Sequence, residues 1–254
     1  MLRQLDRLYR QGATGFAFAW LFVGGAALAA TVLPLLSLVP GHGRERAQAV
    51  IRLTFRWYLA MLRGLSLLRI RVEGRDRLER CRGRVIIANH PSLLDVVILM
   101  ALVPNAQCIV KSALWSNRYL GGLVRRAGYI RNDLEPEALI AECRAALDRG
   151  ANIIVFPEGT RSAPGFPPHF HRGFANIATR TGAPVQPVVI TCSPPTLCKG
   201  EAWWAVPARR PVFRVTVSDC VSPEIYTTYR HRSLASRHLV ARIEAYYAEQ
   251  LAHA

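Results

Sequence analysis

At 254 residues with 51% hydrophobic content, the chain can build one substantial core with an appendage, which excludes a disordered protein. A formal charge of +16 and a pI near 10.6 raise nucleic acid, anionic lipid or an acidic protein as partners. No basic stripe interleaved with aromatics accompanies that charge, so no nucleic-acid partner is expected. Only Lys111 and Lys199 are lysines; an arginine surplus of this kind fits codon usage as well as a binding surface. The six cysteines show no C-x-x-C and read as reduced core thiols. His169 and His171 form an H-x-H without a third ligand nearby, so no metal is expected.

In chain order, the first feature is uncharged from residue 11 to residue 43 and contains "FAFAWLFVGGAALAATVLPLLSLVP". It is long enough to cross a bilayer as a helix, although Gly24, Gly25 and Pro34 interrupt it. A cleaved signal peptide fits poorly, because its apolar region is shorter and the cysteine usage is not that of a secreted protein. The next stretch, "RERAQAVIRLTFRWYLAMLRGLSLLRI", places Arg52, Arg56 and Arg63 among apolar residues at helical spacing. It suits an interfacial helix whose arginines reach lipid phosphates, or an amphipathic helix packed on the domain. Residues 1–69 are therefore expected to form a membrane-docking helix pair, and residues 70–254 a catalytic domain.

From about residue 70, short β-type runs alternate with helical stretches. "RIRVEG", "RVIIAN", "QCIVK", "YIRN", "NIIVF", "PVQPVVIT" and "PVFRVTV" read as strands. "LLDVVILMALV", "SNRYLGGLVRRAG", "PEALIAECRAALDRG", "RGFANIATRTG" and "SLASRHLVARIEAYYAEQL" read as helices. The alternation predicts an α/β fold with a mixed, largely parallel sheet flanked by helices, whose ligands sit outside the carboxyl ends of the strands.

Two such ends carry chemistry. In "IIANHPSLLD" the apolar run stops at Asn89, and Ser92 and Asp95 have capping-box spacing, with Ser92 as N-cap and Asp95 as N3. An aspartate in the first helical turn points back toward His90, where it can fix the imidazole tautomer and leave one nitrogen to take a proton from a hydroxyl. No G-x-S-x-G elbow surrounds Ser92, so the activated hydroxyl is expected to belong to a substrate. Backbone N–H groups near the start of the following helix are the expected oxyanion donors. In "NIIVFPEGTRS" a strand ends at Phe156. Gly159 then allows close backbone approach, Thr160 offers a hydroxyl, and Arg161 offers a planar fork for phosphate.

Asn89, His90, Ser92 and Asp95, then Phe156 to Ser162, then the Val/Pro-rich "APVQPVVI", together resemble the glycerolipid acyltransferases of the 1-acylglycerol-3-phosphate acyltransferase type. The resemblance covers roughly residues 70 to 220. It implies His90 as general base, Asp95 as its orienting partner, Glu158, Gly159, Thr160 and Arg161 as holders of the acceptor phosphate, and Pro187 near the acyl site. It implies an acyl-CoA or acyl carrier protein co-substrate, a lysophospholipid acceptor, no cofactor, and a bilayer partner at the cytoplasmic face of the inner membrane. One departure stands out: in "GYIRND", Asn132 occupies the expected arginine position and Arg131 stands one residue earlier. Neighbouring strand residues face opposite ways, which counts against Arg131 as a direct substitute; Lys111, Arg125 and Arg126 are the other candidates for the missing contact, and a specialised lipid acceptor is an alternative. A non-catalytic protein that binds anionic lipid is a further alternative.

Overall fold

The computed structural model describes residues 2–32, 35, 41, 43–118, 120–162 and 168–252. Two long helices come first: α1 (Leu2–Ala30) and α2 (Gly43–Gly64). They are followed by β1 (Arg69–Glu73), α3 (Arg75–Glu79), β2 (Val85–Ala88), α4 (Asp95–Leu102) and β3 (Ala106–Val110). Next come α5 (Ser112–Trp115), α6 (Gly121–Arg126), β4 (Ile130–Arg131), α7 (Pro136–Asp148) and β5 (Asn152–Val155). The last elements are α8 (Gly173–Thr181), β6 (Val185–Ser193), β7 (Val212–Val217), α9 (Glu224–Thr227) and α10 (Arg232–Ala252).

The strands form one seven-stranded sheet in the order β1-β7-β6-β2-β5-β3-β4. Every pairing is parallel except β6 with β7. This is the mixed, largely parallel sheet expected. The central strand β2 is buried at all four positions, as a strand covered on both faces must be. Its residues alternate between two cores. Ile86 and Ala88 join Ile190, Phe213 and Val215 against α2 and α4, whereas Val85 and Ile87 join Val185 and Val189 against α7, α8 and α10.

Helix α1 begins at Leu2, earlier than the uncharged run suggests, and Gly24 and Gly25 lie inside it without breaking it. Pro34 falls outside the described residues. The segment Gln4–Ala30 is long and apolar enough to cross a membrane, and only 6% of its most apolar window is buried against the rest of the chain. Arg10 is nonetheless buried, donating to Pro207 O and Ala208 O, so α1 is tied to the loop before β7. Helix α2 buries Ala47, Gln48, Ile51 and Tyr58 against the domain and turns Leu53 and Trp57 outward. Arg52 does not reach away from the protein as expected. It donates to Ala101 O and Leu102 O, capping the C-terminal end of α4, where the helix carbonyls lack partners.

The helix read over residues 116–128 forms only as α6, Gly121–Arg126, and the other short helix, α5, ends at Trp115 before that stretch begins. The Asn117 side chain accepts from Leu120 N–H, which offers the backbone an alternative to continuing the helix. At Gly121 a Cβ would stand 2.4 Å from Trp115 O, so only glycine lets these two turns approach. Among the cysteines, Cys81, Cys108 and Cys143 are core thiols as expected, but Cys192 and Cys198 are half-buried and Cys220 is exposed.

Candidate active site

Strand β2 ends where Asn89 clamps it to β6. The buried Asn89 Nδ2 donates to Ile190 O and Oδ1 accepts from Ile190 N–H, both at 2.7 Å. This amide is a sheet clamp rather than a group facing a ligand. Replacing Asn89 with alanine strands both Ile190 groups and is expected to lower stability by about 2–4 kcal/mol, read from the denaturant midpoint. A change within about 0.5 kcal/mol would dismiss the clamp.

Immediately beyond, His90 Nδ1 lies 3.0 Å from Asp95 Oδ2, and the same oxygen accepts from Ser92 N–H at 2.6 Å. Asp95 is fully buried and its Oδ1 has no hydrogen-bond partner among the described residues. Burial pushes the Asp95 carboxyl above the usual range, and the His90 bond opposes the rise. With Nδ1–H committed to the carboxylate, Nε2 is the nitrogen left to accept a proton.

The expected capping box forms only in part. Asp95 does reach back to Ser92 N–H, but Leu94 holds the N-cap position, and the buried Ser92 hydroxyl donates to Thr196 O at 2.9 Å instead. The chain stays in a turn past Ser92, and the 196–198 loop supplies a nearer acceptor. The expected oxyanion donors are likewise engaged: Leu93 N–H donates to Leu197 O and Asp95 N–H to Ser92 O.

The turn after β5 is fastened to this dyad. Glu158 Oε1 accepts from His90 N–H at 2.9 Å and from Ser162 Oγ at 2.8 Å, while Ser162 N–H donates to His90 O at 2.8 Å. The Phe156 ring lies 4.4 Å from the imidazole, centroid to centroid. Gly159 has φ +66°, and a Cβ there would press on His171. Arg161 Nη1 donates to Leu197 O and Cys198 O, each at 2.8 Å. Thus Arg161 first holds the 196–198 loop, which in turn holds Ser92; Nε and Nη2 are uncommitted among the described residues. Thr160 is exposed. The two sequence motifs therefore build one unit.

Other candidates stand apart. Lys111 is exposed just beyond β3. Arg131 pairs through both Nε and Nη2 with Asp133, and Asn132 Oδ1 accepts from Ser112 N–H. Pro187 is buried within β6, opposite Ile87. Beside it the Tyr247 hydroxyl bridges Val188 N–H and Ile87 O, a contribution from α10 that no local pattern announces. His169 lies 3.3 Å from Glu244, and no group of three or more potential metal ligands occurs among the described residues. A cleft of about 790 Å³ opens beside the dyad, lined there by Asn89, Pro91 and Ser162.

An α/β sheet that presents an acid-steered imidazole at a strand end defines a protein equipped to deprotonate a hydroxyl. Residues 69–191, just under half of the chain, match the family model described as Acyltransferase. It is 35% identical over 114 residues to the 1-acyl-sn-glycerol-3-phosphate acyltransferase of Cocos nucifera, covering 42% of this chain and 37% of that protein. It is 35% identical over 144 residues to the lyso-ornithine lipid O-acyltransferase of Pseudomonas aeruginosa, covering 55% of this chain and 54% of that one. These alignments span about half or less of each relative's length. The crystal structure of the 1-acyl-sn-glycerophosphate acyltransferase PlsC from Thermotoga maritima shares the fold, with a TM-score of 0.73 at 23% identity over 98% of this chain and 97% of that one.

Proposed function

We propose that the chain is a membrane-associated O-acyltransferase that moves a fatty acyl group from a thioester of CoA or acyl carrier protein to a lysophospholipid hydroxyl, with 1-acylglycerol-3-phosphate as the first acceptor to consider. The observation that carries this reading is the His90–Asp95 pair, fastened through Glu158 and Ser162 to the second motif beside an open cleft. His90 Nε2 takes the acceptor's proton as its oxygen bonds to the thioester carbonyl carbon. The C–S bond then breaks, and the imidazolium returns the proton to the departing thiolate. No acyl-enzyme is required; Ser92, buried and bonded to Thr196 O, is not a nucleophile. Phe156 gives the imidazole a fixed wall, and holding the reactants in place supplies much of the acceleration.

Membrane association is supported by the outward apolar residues of α1, among them Phe16, Trp20 and Phe22, and by Leu53 and Trp57 on α2. Orientation toward the cytoplasmic face of the inner membrane is part of the same proposal, since thioester donors are cytoplasmic metabolites. Mass spectrometry of products from a panel of lyso-acceptors and both donor types tests the reading. Acyl chains found in phospholipid support it; free fatty acid alone from the thioester would refute it.

A second reading keeps the chemistry and changes the acceptor. Arg131 is held by Asp133, and Asn132 caps α5, so neither supplies the free cation expected there. An acceptor lacking a phosphate monoester, as the name of the Pseudomonas aeruginosa relative indicates for that protein, needs none. On this reading Arg131→Ala removes only an exposed ion pair and changes transfer to the preferred acceptor by no more than about threefold. A tenfold rise in acceptor KM would return Arg131 to the acceptor site.

A further inference from the structure

We infer that Arg71 and Arg214 form the site that receives the phosphate of the donor's phosphopantetheine arm, an inference that rests on the acyl-transfer reading. Arg71 of β1 is in register with Arg214 of β7, and Arg214 is in register with Thr191 of β6. Their strand neighbours Ile70, Val72, Phe213 and Val215 pack toward α2 and α4, so both guanidinium groups leave the opposite face of the sheet. Like charges directly across a ladder repel. Neither arginine has an ion-pair or hydrogen-bond partner among the described residues, and Glu73, next along that face, is approached by the Thr216 hydroxyl at 3.4 Å instead. Two unneutralised planar forks side by side suit a phosphate.

Both arginines line the same cleft as Asn89, Pro91 and Ser162. Crossing from β2 over β6 to β7 and β1 at the usual strand spacing puts Arg214 about 10 Å and Arg71 about 14 Å from the strand that presents His90. A pantetheine arm of two amide-linked units and a short thiol tail spans on the order of 15 Å at extended-chain reach. The phosphate can therefore rest on the arginines while the thioester reaches Nε2.

The face decides between the substrates. The helices α1 and α2, with their outward apolar residues, belong to the other side of the sheet, so this cleft opens away from the lipid-facing side, where a water-soluble donor arrives. Positive charge continues beyond Arg71 through Arg63, Arg69 and Arg210, which line an adjoining cleft of about 560 Å³. Burial, with the charges of Arg69 and Arg63, pulls the Arg210 pKa down. Such a field suits the further phosphates of CoA or the acidic surface of a carrier protein.

The test uses the full chain in lipid nanodiscs, with the double variant Arg71→Gln/Arg214→Gln and its counterpart Arg71→Lys/Arg214→Lys. The glutamine pair is expected to raise donor KM about ten- to hundredfold, with kcat and acceptor KM within about twofold, and the lysine pair to recover most of the loss. A rise with acyl-CoA, with acyl carrier protein, or with both identifies the source of the phosphate. Unchanged donor KM, or a rise confined to the acceptor, overturns the inference. If the wild-type protein transfers no acyl group from either thioester, the acyl-transfer reading itself fails, and calorimetric titration with CoA decides the anion site. Binding weakened by the glutamine pair sustains the site; equal or absent binding removes it.

Discussion

Replacing His90 with alanine is expected to slow acyl transfer by about 10²–10⁴-fold while leaving the protein folded and still able to sediment with lipid vesicles. The fold survives because the bonds that fasten this turn are made by the backbone of residue 90, not by its ring. His90 N–H donates to Glu158, and His90 O accepts from Ser162 N–H. The imidazole contributes one bond to Asp95 and a face to Phe156, and its side chain is 14% exposed, so truncation opens no deep cavity. The outcome separates the enzyme from a non-catalytic lipid-binding protein on the same fold. Single-turnover transfer from a labelled thioester, run beside a flotation assay, reads both quantities. A variant that keeps more than about a tenth of the rate shows that another group takes the proton.

The same contacts explain which parts of the site were legible in sequence. Buried parallel strands such as "VIIA" and, after Asn152, "IIV" announce themselves as apolar runs, and Gly150 and Gly182 mark helix ends through left-handed backbone angles. The dyad was legible because a turn of chain fixes it: Asp95 in the first helical turn has little choice but to face back toward His90. The helix over residues 116–128 was not, because an asparagine that bonds locally and a glycine that admits Trp115 O defeat the apolar period. Residues whose partners lie far along the chain show only their type in the sequence, and the fold engages them elsewhere. Asn89 holds Ile190, Ser92 holds Thr196, and Arg161 holds Leu197 and Cys198. The 196–198 loop itself carries no motif, yet it links Ser92 to Arg161 and so positions both halves of the site. A short polar side chain near a strand end has one sequence signature whether it meets substrate or backbone; only the tertiary partner distinguishes them.

Asp95→Asn is expected to lose most of the activity without losing the fold. An asparagine can accept through its oxygen from Ser92 N–H, or donate through its nitrogen to His90 Nδ1, and the second choice moves the ring proton to Nε2, where it blocks base catalysis. A reduction of about 10²–10⁴-fold follows, comparable with loss of the base itself. Stability responds in the other direction. Burial raises the Asp95 carboxyl above its value in the unfolded chain, so ionisation opposes folding. That penalty is absent below the unfolded value, grows as pH rises through the raised folded value, and is present in full above it. Neutral asparagine carries none of it, although with its amide nitrogen turned to His90 the buried Ser92 N–H loses its acceptor, at about 1–3 kcal/mol. The melting temperature of Asp95→Asn relative to the wild type should therefore be highest at pH 8 and should fall on acidification through the carboxyl's titration. A variant that is less stable at pH 8 and gains relative stability in acid would show that ionised Asp95 supports the fold, and the His90–Asp95 pair would then be an ion pair built for structure.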